Sequence, residues 1–249
     1  MRNLMLKISY DGANYHGWQI QQNAVSVQQV FQAALRKVLG EEPDIKGCSR
    51  TDSFVHARDY CISLKTEHII PCERLLAALN HFLPEDIVVL SCCEVAPEFH
   101  ARYSCTGKEY IYQIWNSQIR DPFLYHRALH YWYKIDTERL NKAAACFLGA
   151  HDFTSFCTVD ARERGNMTRT ITKAEVKREG NLVTITVAAD GFLYNMVRIM
   201  VGTLLRVAQG KLEPQDVAKI IEAKSRMAAG PTAPPQGLYL NRVFYEDVK

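Results

Sequence analysis

The chain has 249 residues, enough for one large domain or two of about 100–150. Hydrophobic residues make up 47% and charged residues 23%, a balance that excludes a disordered chain. A formal net charge of +3 is compatible with almost any enzyme and points only weakly to a polyanionic partner.

The most apolar stretch, FLYNMVRIMVGTLLRVA, is interrupted by Arg198 and Arg206, so no membrane span is expected. The opening residues enter a strand pattern at once and carry no signal-peptide architecture, which predicts a cytoplasmic protein. Eight cysteines, at 48, 61, 72, 92, 93, 105, 146 and 157, form no C-x-x-C pair and no zinc-finger spacing. They read as small buried hydrophobes, with no metal or disulfide framework.

In chain order, Leu4, Leu6, Ile8 and Tyr10 alternate with polar residues and predict a strand. Ser26 followed by Gln29 resembles a capping box, and apolar residues from Val27 to Val38 keep helical spacing up to Gly40. Short strands are expected over 45–48 and 55–64, then a helix over 71–83 whose inner face is Leu75, Leu76, Leu79 and Phe82. An apolar strand over 87–95 follows. The order is β-α-β-β-α-β.

The second half repeats it. A strand is expected over 108–116, a helix over 137–148 that stops at Gly149, and a hairpin pairing 170–177 with 182–188. A long helix over 192–208, a shorter one after Pro214 and a strand over 238–245 complete the set. The fold class is α+β: two β-α-β-β-α-β units whose antiparallel sheets flank a central cleft. The division falls at 1–104 and 105–249, the first unit carrying the loop of the opening motif below and the second completing the cleft.

Between the strands at 45–48 and 55–64 lies an ionisable cluster, Arg50, Asp52, His56 and Arg58, where a plain turn needs no arginine. Asp52 can be an Asx-type turn residue. With Arg50 and Arg58 beside it, it can equally be a carboxylate held ionised near phosphate. His56 is either an acid–base group or a hydrogen-bonded structural histidine. Neither it nor Cys48 has the neighbours of a catalytic triad. Arg198 lies on an apolar helix face among Met196, Ile199 and Met200, so a carboxylate partner is expected, the alternative being a side chain that snorkels to solvent. Tyr110 by pattern alone is an ordinary strand aromatic. Arg162, Arg164 and Asn166 are basic or amide residues suited to RNA contact or to a solvated loop.

The segment GCSRTDSFVHA, 47–57, resembles the G-x-G-R-T-D-x-G-V-H-A motif of TruA-type tRNA pseudouridine synthases. Further blocks similar to that family follow in its order: YDGANYHGWQIQ (10–21), SVQ (26–28), FHARYSCTGKEYIY (99–112), HDFTSF (151–156), FLYNMVRIMVG (192–202) and GLYL (237–240). The resemblance implies the pseudouridine synthase fold, with the cleft binding RNA, and isomerisation of uridine at positions 38, 39 and 40 of the tRNA anticodon arm. It implies no cofactor, no metal and a homodimer. By residue it implies Asp52 as the catalytic group, Tyr110 stacking on the target base, Arg198 pairing with the catalytic carboxylate, and Arg50 helping the base leave its helix.

The chemistry fits a carboxylate. It can attack the sugar or the base, or take a proton as a glycal-like intermediate forms. Two positions depart from the motif, Ser49 and Phe54 standing where the family has glycine. The alternative function is a non-catalytic RNA-binding or tRNA-folding protein on the same scaffold.

Overall fold

The structure is a computed structural model that describes residues 1–158 and 165–246. It divides into two compact units, Met1–Thr106 joined by the segment that begins at Tyr239, and Gly107–Leu238.

The first unit opens with β1 (Arg2–Tyr10) and helix α1 (Val27–Leu39). Ser26 caps α1, its hydroxyl accepting the Gln29 N–H at 3.3 Å, and Gly40 ends it in the left-handed conformation at φ 72°. Strands β2 (Ile45–Gly47) and β3 (His56–Thr66), helix α2 (Cys72–Phe82) and strand β4 (Ile87–Val95) follow. The sheet runs β4–β1–β3 with antiparallel pairing. The outer edge of β3 is shared: β2 pairs with its far half, Gly47 opposite Ile62, and the chain's last strand pairs with its start, Tyr239 opposite His56. That last pairing is parallel, an exception to the expected antiparallel sheet.

Leu4, Leu6, Ile8, Phe31, Leu35 and Ile62 are fully buried, and α1 and α2 pack against each other over this core. Phe82, expected on the inner face of α2, is instead 43% exposed. It ends the helix, and its ring turns outward beneath the Lys37 ammonium, 5.5 Å away.

The second unit is built on β5 (Cys105–Asn116), with the short strand β6 (Leu129–Tyr131) parallel to its end. Helix α3 (Thr137–Ala145) starts at Asp136, whose carboxylate accepts the Glu138 and Arg139 N–H groups. It stops three residues before the expected end, because the N–H groups of Cys146, Phe147 and Leu148 turn to carbonyls three residues back. Strands β7 (Gly149–Asp152), β8 (Thr168–Glu179) and β9 (Leu182–Ala189) complete the sheet in the order β5–β9–β8–β7, all antiparallel. Helices α4 (Met196–Ala208) and α5 (Asp216–Glu222) lead to β10 (Leu238–Tyr245), the strand that returns to β3.

The expected β-α-β-β-α succession is carried here by β5, α3, β8, β9 and α4. Short strands β6 and β7, too brief to show a period, are additions. Helix α4 begins four residues later than its apolar run, because Asn195 takes the left-handed conformation at φ 61°. Helix α3 packs on β8 and α4, over a core that includes Leu140, Phe147, Phe156 and Ile199.

Candidate active site

The turn between β2 and β3 is held by backbone contacts with residues 12–18. Trp18 N–H donates to the Thr51 carbonyl at 3.3 Å, and Phe54 N–H donates to the Tyr15 carbonyl at 3.0 Å. Val55 N–H closes the turn on the Asp52 carbonyl at 3.2 Å, and the hydroxyls of Tyr10 and Thr51 lie 2.9 Å apart.

Glycines make this approach possible. A Cβ on Gly17, whose φ is +80°, would stand 2.3 Å from the Thr51 carbonyl oxygen and 3.1 Å from the Asp52 carbonyl carbon. A Cβ on Gly12 would stand 2.1 Å from the Val55 oxygen. At the other end of the turn, Gly47 fits beneath Trp18 and Tyr60, whose rings stack at 4.2 Å, and Tyr60 hydroxyl donates to the Ser49 carbonyl. The backbone on both sides of Asp52 is thereby fixed, while its side chain is half-buried.

Arg50 is exposed, and neither it nor Arg58 ion-pairs with a carboxylate among the described residues. The local charge cluster read from the sequence is therefore looser than expected. Arg58 is placed by β3 with its guanidinium 5.1 Å from the Tyr239 ring centre. His56 is buried and structurally engaged. Its Nδ1 lies 2.9 Å from the Gly12 nitrogen and 3.0 Å from Asp11 Oδ1, and its ring stacks on Tyr239 at 4.5 Å.

Cys48 is buried, its sulfur accepting the Cys61 N–H at 3.3 Å, and burial pushes the Cys61 thiol up to about 12. Both behave as small core residues, as does Cys157. The remaining cysteines are only partly covered, Cys93 being exposed, so the reading of all eight as buried is corrected. Among the described residues no three His, Cys, Asp or Glu side chains are grouped to hold a metal ion.

In the second unit, β5 carries Tyr110, 6% exposed, with its ring edge-to-face on Phe192 at 5.1 Å. Helix α4 carries Arg198, half-buried between Val197 and Ile199. Its guanidinium donates through Nε to the Ala233 carbonyl at 2.7 Å and through a terminal nitrogen to Asn195 Oδ1 at 2.9 Å. Arg198 also lies near Tyr112, whose own titration is pushed upward chiefly by burial and pulled back by that cation. Asn166 binds Thr168 N–H at 2.8 Å through its side chain. Arg162 and Arg164 lie outside the described residues.

Sequence reasoning missed the supporting residues: Tyr10, Gly12 and Gly17 behind Asp52, and Asn195 behind Arg198. Two glycines seven positions or fewer from a strand end, in YDGANYHG, were the available signal for a close backbone approach. Asn195 carried one too, as an N-cap residue type, but the apolar residues on both sides of it mask the break.

Known proteins resemble this chain along most of its length. A family model described as tRNA pseudouridine synthase matches residues 7–104 and 143–246, most of the chain. A tRNA pseudouridine synthase A of Acetivibrio thermocellus is 46% identical over 98% of this chain and 100% of its own length. Its counterpart in Thermoanaerobacter pseudethanolicus is 45% identical, as is a tRNA pseudouridine synthase A 2 of Clostridium perfringens, each with the same two coverages.

Proposed function

Because the chain belongs to the tRNA pseudouridine synthase family, we propose that it isomerises uridine in the anticodon stem-loop of tRNA, at positions 38, 39 and 40, with Asp52 as its catalytic residue. The reaction breaks the N1–C1′ bond, turns the base and forms a C5–C1′ bond. The C5 proton leaves and N1 gains one, so substrate and product contain the same atoms and no oxidant or second substrate enters.

The observation that supports this reading best is the clamped turn. Its backbone is fixed on each side of Asp52 by Trp18, Tyr15 and Val55, and the carboxylate is left half-buried. Such preorganisation is what a carboxylate needs if it attacks the sugar or base, or accepts a proton as a glycal forms. An Asx turn would need none of the glycine packing behind it.

Arg50, Tyr110 and Arg198 take the substrate-binding roles. Taking a base out of its stem costs about a few kcal/mol, and stacking on an aromatic such as Tyr110 recovers roughly 1–3 kcal/mol. Arg50 is exposed and so open to RNA. Arg198 is held by two hydrogen bonds, so its direction is set before substrate arrives. The working form is a cytoplasmic homodimer. Light scattering at micromolar concentration checks the dimer, and a fully active monomer would remove it.

Asp52→Asn tests the chemistry. It keeps the side-chain shape and removes the charge. Pseudouridine formation in a single-turnover assay on tRNA should fall below detection. The binding titration at fixed salt should stay near wild type, because phosphate contacts dominate RNA affinity. Wild-type turnover by the variant would defeat the assignment. Loss of binding together with turnover would make Asp52 a structural turn residue that holds the loop by hydrogen bonds.

A further inference from the structure

A cavity of about 690 Å³ opens in the second unit between the C-terminal half of α4 and residues 226–234. That size falls within the roughly 300–1,000 Å³ of small-molecule sites. Its floor is a contact of glycines: a Cβ on Gly202 would stand 1.7 Å from the Pro231 oxygen, and one on Gly230 would stand 2.5 Å from the Thr203 nitrogen. Arg206, Lys211 and Arg226 line it, and among the described residues no carboxylate does.

We propose that this cavity is a phosphate-binding pocket that takes a backbone phosphodiester of the RNA substrate. Cations at the end of a helix have an ordinary explanation, since they complement its dipole. Here that explanation is insufficient. Three of the last four carbonyls of α4 are already occupied: Leu205 accepts the Gln209 N–H, Arg206 the Lys211 N–H, and Val207 the Gly210 N–H and Arg139 Nε. Among the described residues neither Arg206 nor Lys211 ion-pairs with a carboxylate, and the nearby Glu213 is engaged by Arg139 at 3.0 Å.

Two further groups do not belong to the helix end. Arg226 reaches in from a separate segment, donating to the Gly230 carbonyl at 2.9 Å and the Thr232 hydroxyl at 3.2 Å, so its charge is held at the wall. Tyr131, only 8% exposed, lines the same cavity, and its buried hydroxyl makes no hydrogen bond of ordinary geometry although the Gln209 side chain stands beside it. A buried donor without an acceptor is uncommon. An anionic oxygen entering the pocket would satisfy it, and its single negative charge would meet an excess of positive charge there.

The proposal rests on RNA being the substrate, and its test separates the two. The double variant Arg206→Gln/Lys211→Gln is titrated with full-length tRNA across a salt series, beside the charge-keeping Arg206→Lys/Lys211→Arg. The first should weaken binding on the order of tenfold and reduce the slope of log affinity against log salt by about 1, while the second keeps the slope. Tyr131→Phe should weaken binding and leave the slope alone.

Single-turnover rates at saturating tRNA should be unchanged in all three, because no group of the proposed chemistry is touched. Thermal melting of each variant confirms that it folds. Affinity and slope equal to wild type would overturn the pocket while leaving the enzymatic reading intact. A melting shift with inorganic phosphate in wild type, lost in the Gln variant with tRNA binding unaltered, would overturn RNA as the source. Reduced slope in a protein that makes no pseudouridine would keep the pocket and sink the enzymatic reading.

Discussion

The turn that carries Asp52 and the segment that leads into Arg198 use the same backbone device at different cost. Each places a non-glycine residue in the left-handed region two or three positions from Asp52 or Arg198, Phe54 at φ 67° and Asn195 at φ 61°. Asparagine tolerates this conformation, and here its side chain is used: Oδ1 accepts from Arg198 and Nδ2 donates to Thr158 at 3.3 Å. Phenylalanine has no such return. Its ring lies 5.6 Å from that of His16 and stays 37% exposed. One segment converts an unusual φ into a hydrogen-bonded support, and the other tolerates it as strain beside a turn already fixed by glycine packing.

The support of the Asp52 turn should break most severely at Gly17. Alanine there adds a Cβ at 2.3 Å from a backbone oxygen and demands a φ that L-residues avoid. Nothing flexible can give way, since Thr51 and Asp52 are backbone partners. A stability loss of roughly 2–4 kcal/mol is expected. A turn displaced by about 1 Å loses on the order of a hundredfold in rate even where the protein stays folded. Denaturant melts and single-turnover assays read the two separately. A variant with normal stability and normal rate would show that the clamp is dispensable.

Asn195→Gly sharpens the other side of the comparison, because glycine keeps the left-handed backbone and deletes only the side chain. The loss of two hydrogen bonds should cost about 1 kcal/mol, partly through Thr158. Turnover should fall about tenfold with tRNA affinity little changed, since Arg198 keeps its bond to the Ala233 carbonyl but loses one direction of support. Asn195→Ala should lose more stability than Asn195→Gly, which separates backbone strain from side-chain bonding. Equal stability for the two would mean that the left-handed φ is not strained here.

These contrasts also mark where the sequence was legible. Strands β1, β3, β8 and β9 and helix α1 follow from periodicity and caps, because local pattern and tertiary burial agree in them. The start of α4 differs from the expected one because apolar residues precede Asn195 as well as follow it, so the period runs on through it. Asn195 is a residue type that favours a helix N-cap and the left-handed region, and its side-chain bonds in the fold decide the break. Asp52 and Arg50 were legible through the R-T-D motif. The contacts that fix the turn join residues about 35–40 positions apart, and no local pattern announces them. Phe54 was readable as a departure, but its consequence was not. Phe54 stands in the left-handed region that glycine adopts freely, so the bulky residue carries strain there.

The smallest expected effect, and the one with a favourable sign, is Phe54→Gly. A left-handed φ costs a non-glycine residue about 1–2 kcal/mol, which the substitution removes. Against this, glycine adds unfolded-state entropy worth about 0.4–1 kcal/mol, and the ring contact with His16 is lost. The net gain should be below about 1 kcal/mol, a rise in melting temperature of roughly 1–3 °C. The Phe54 N–H bond to the Tyr15 carbonyl does not depend on the side chain, so the turn should keep its path and turnover should persist. An opened surface beside Asp52 could widen the set of uridines accepted, which mapping pseudouridines in a mixed tRNA pool would record. A fall in melting temperature would show that the His16 contact outweighs the backbone strain, and the contrast with Asn195 would then be one of packing against hydrogen bonding, with strain the same in both.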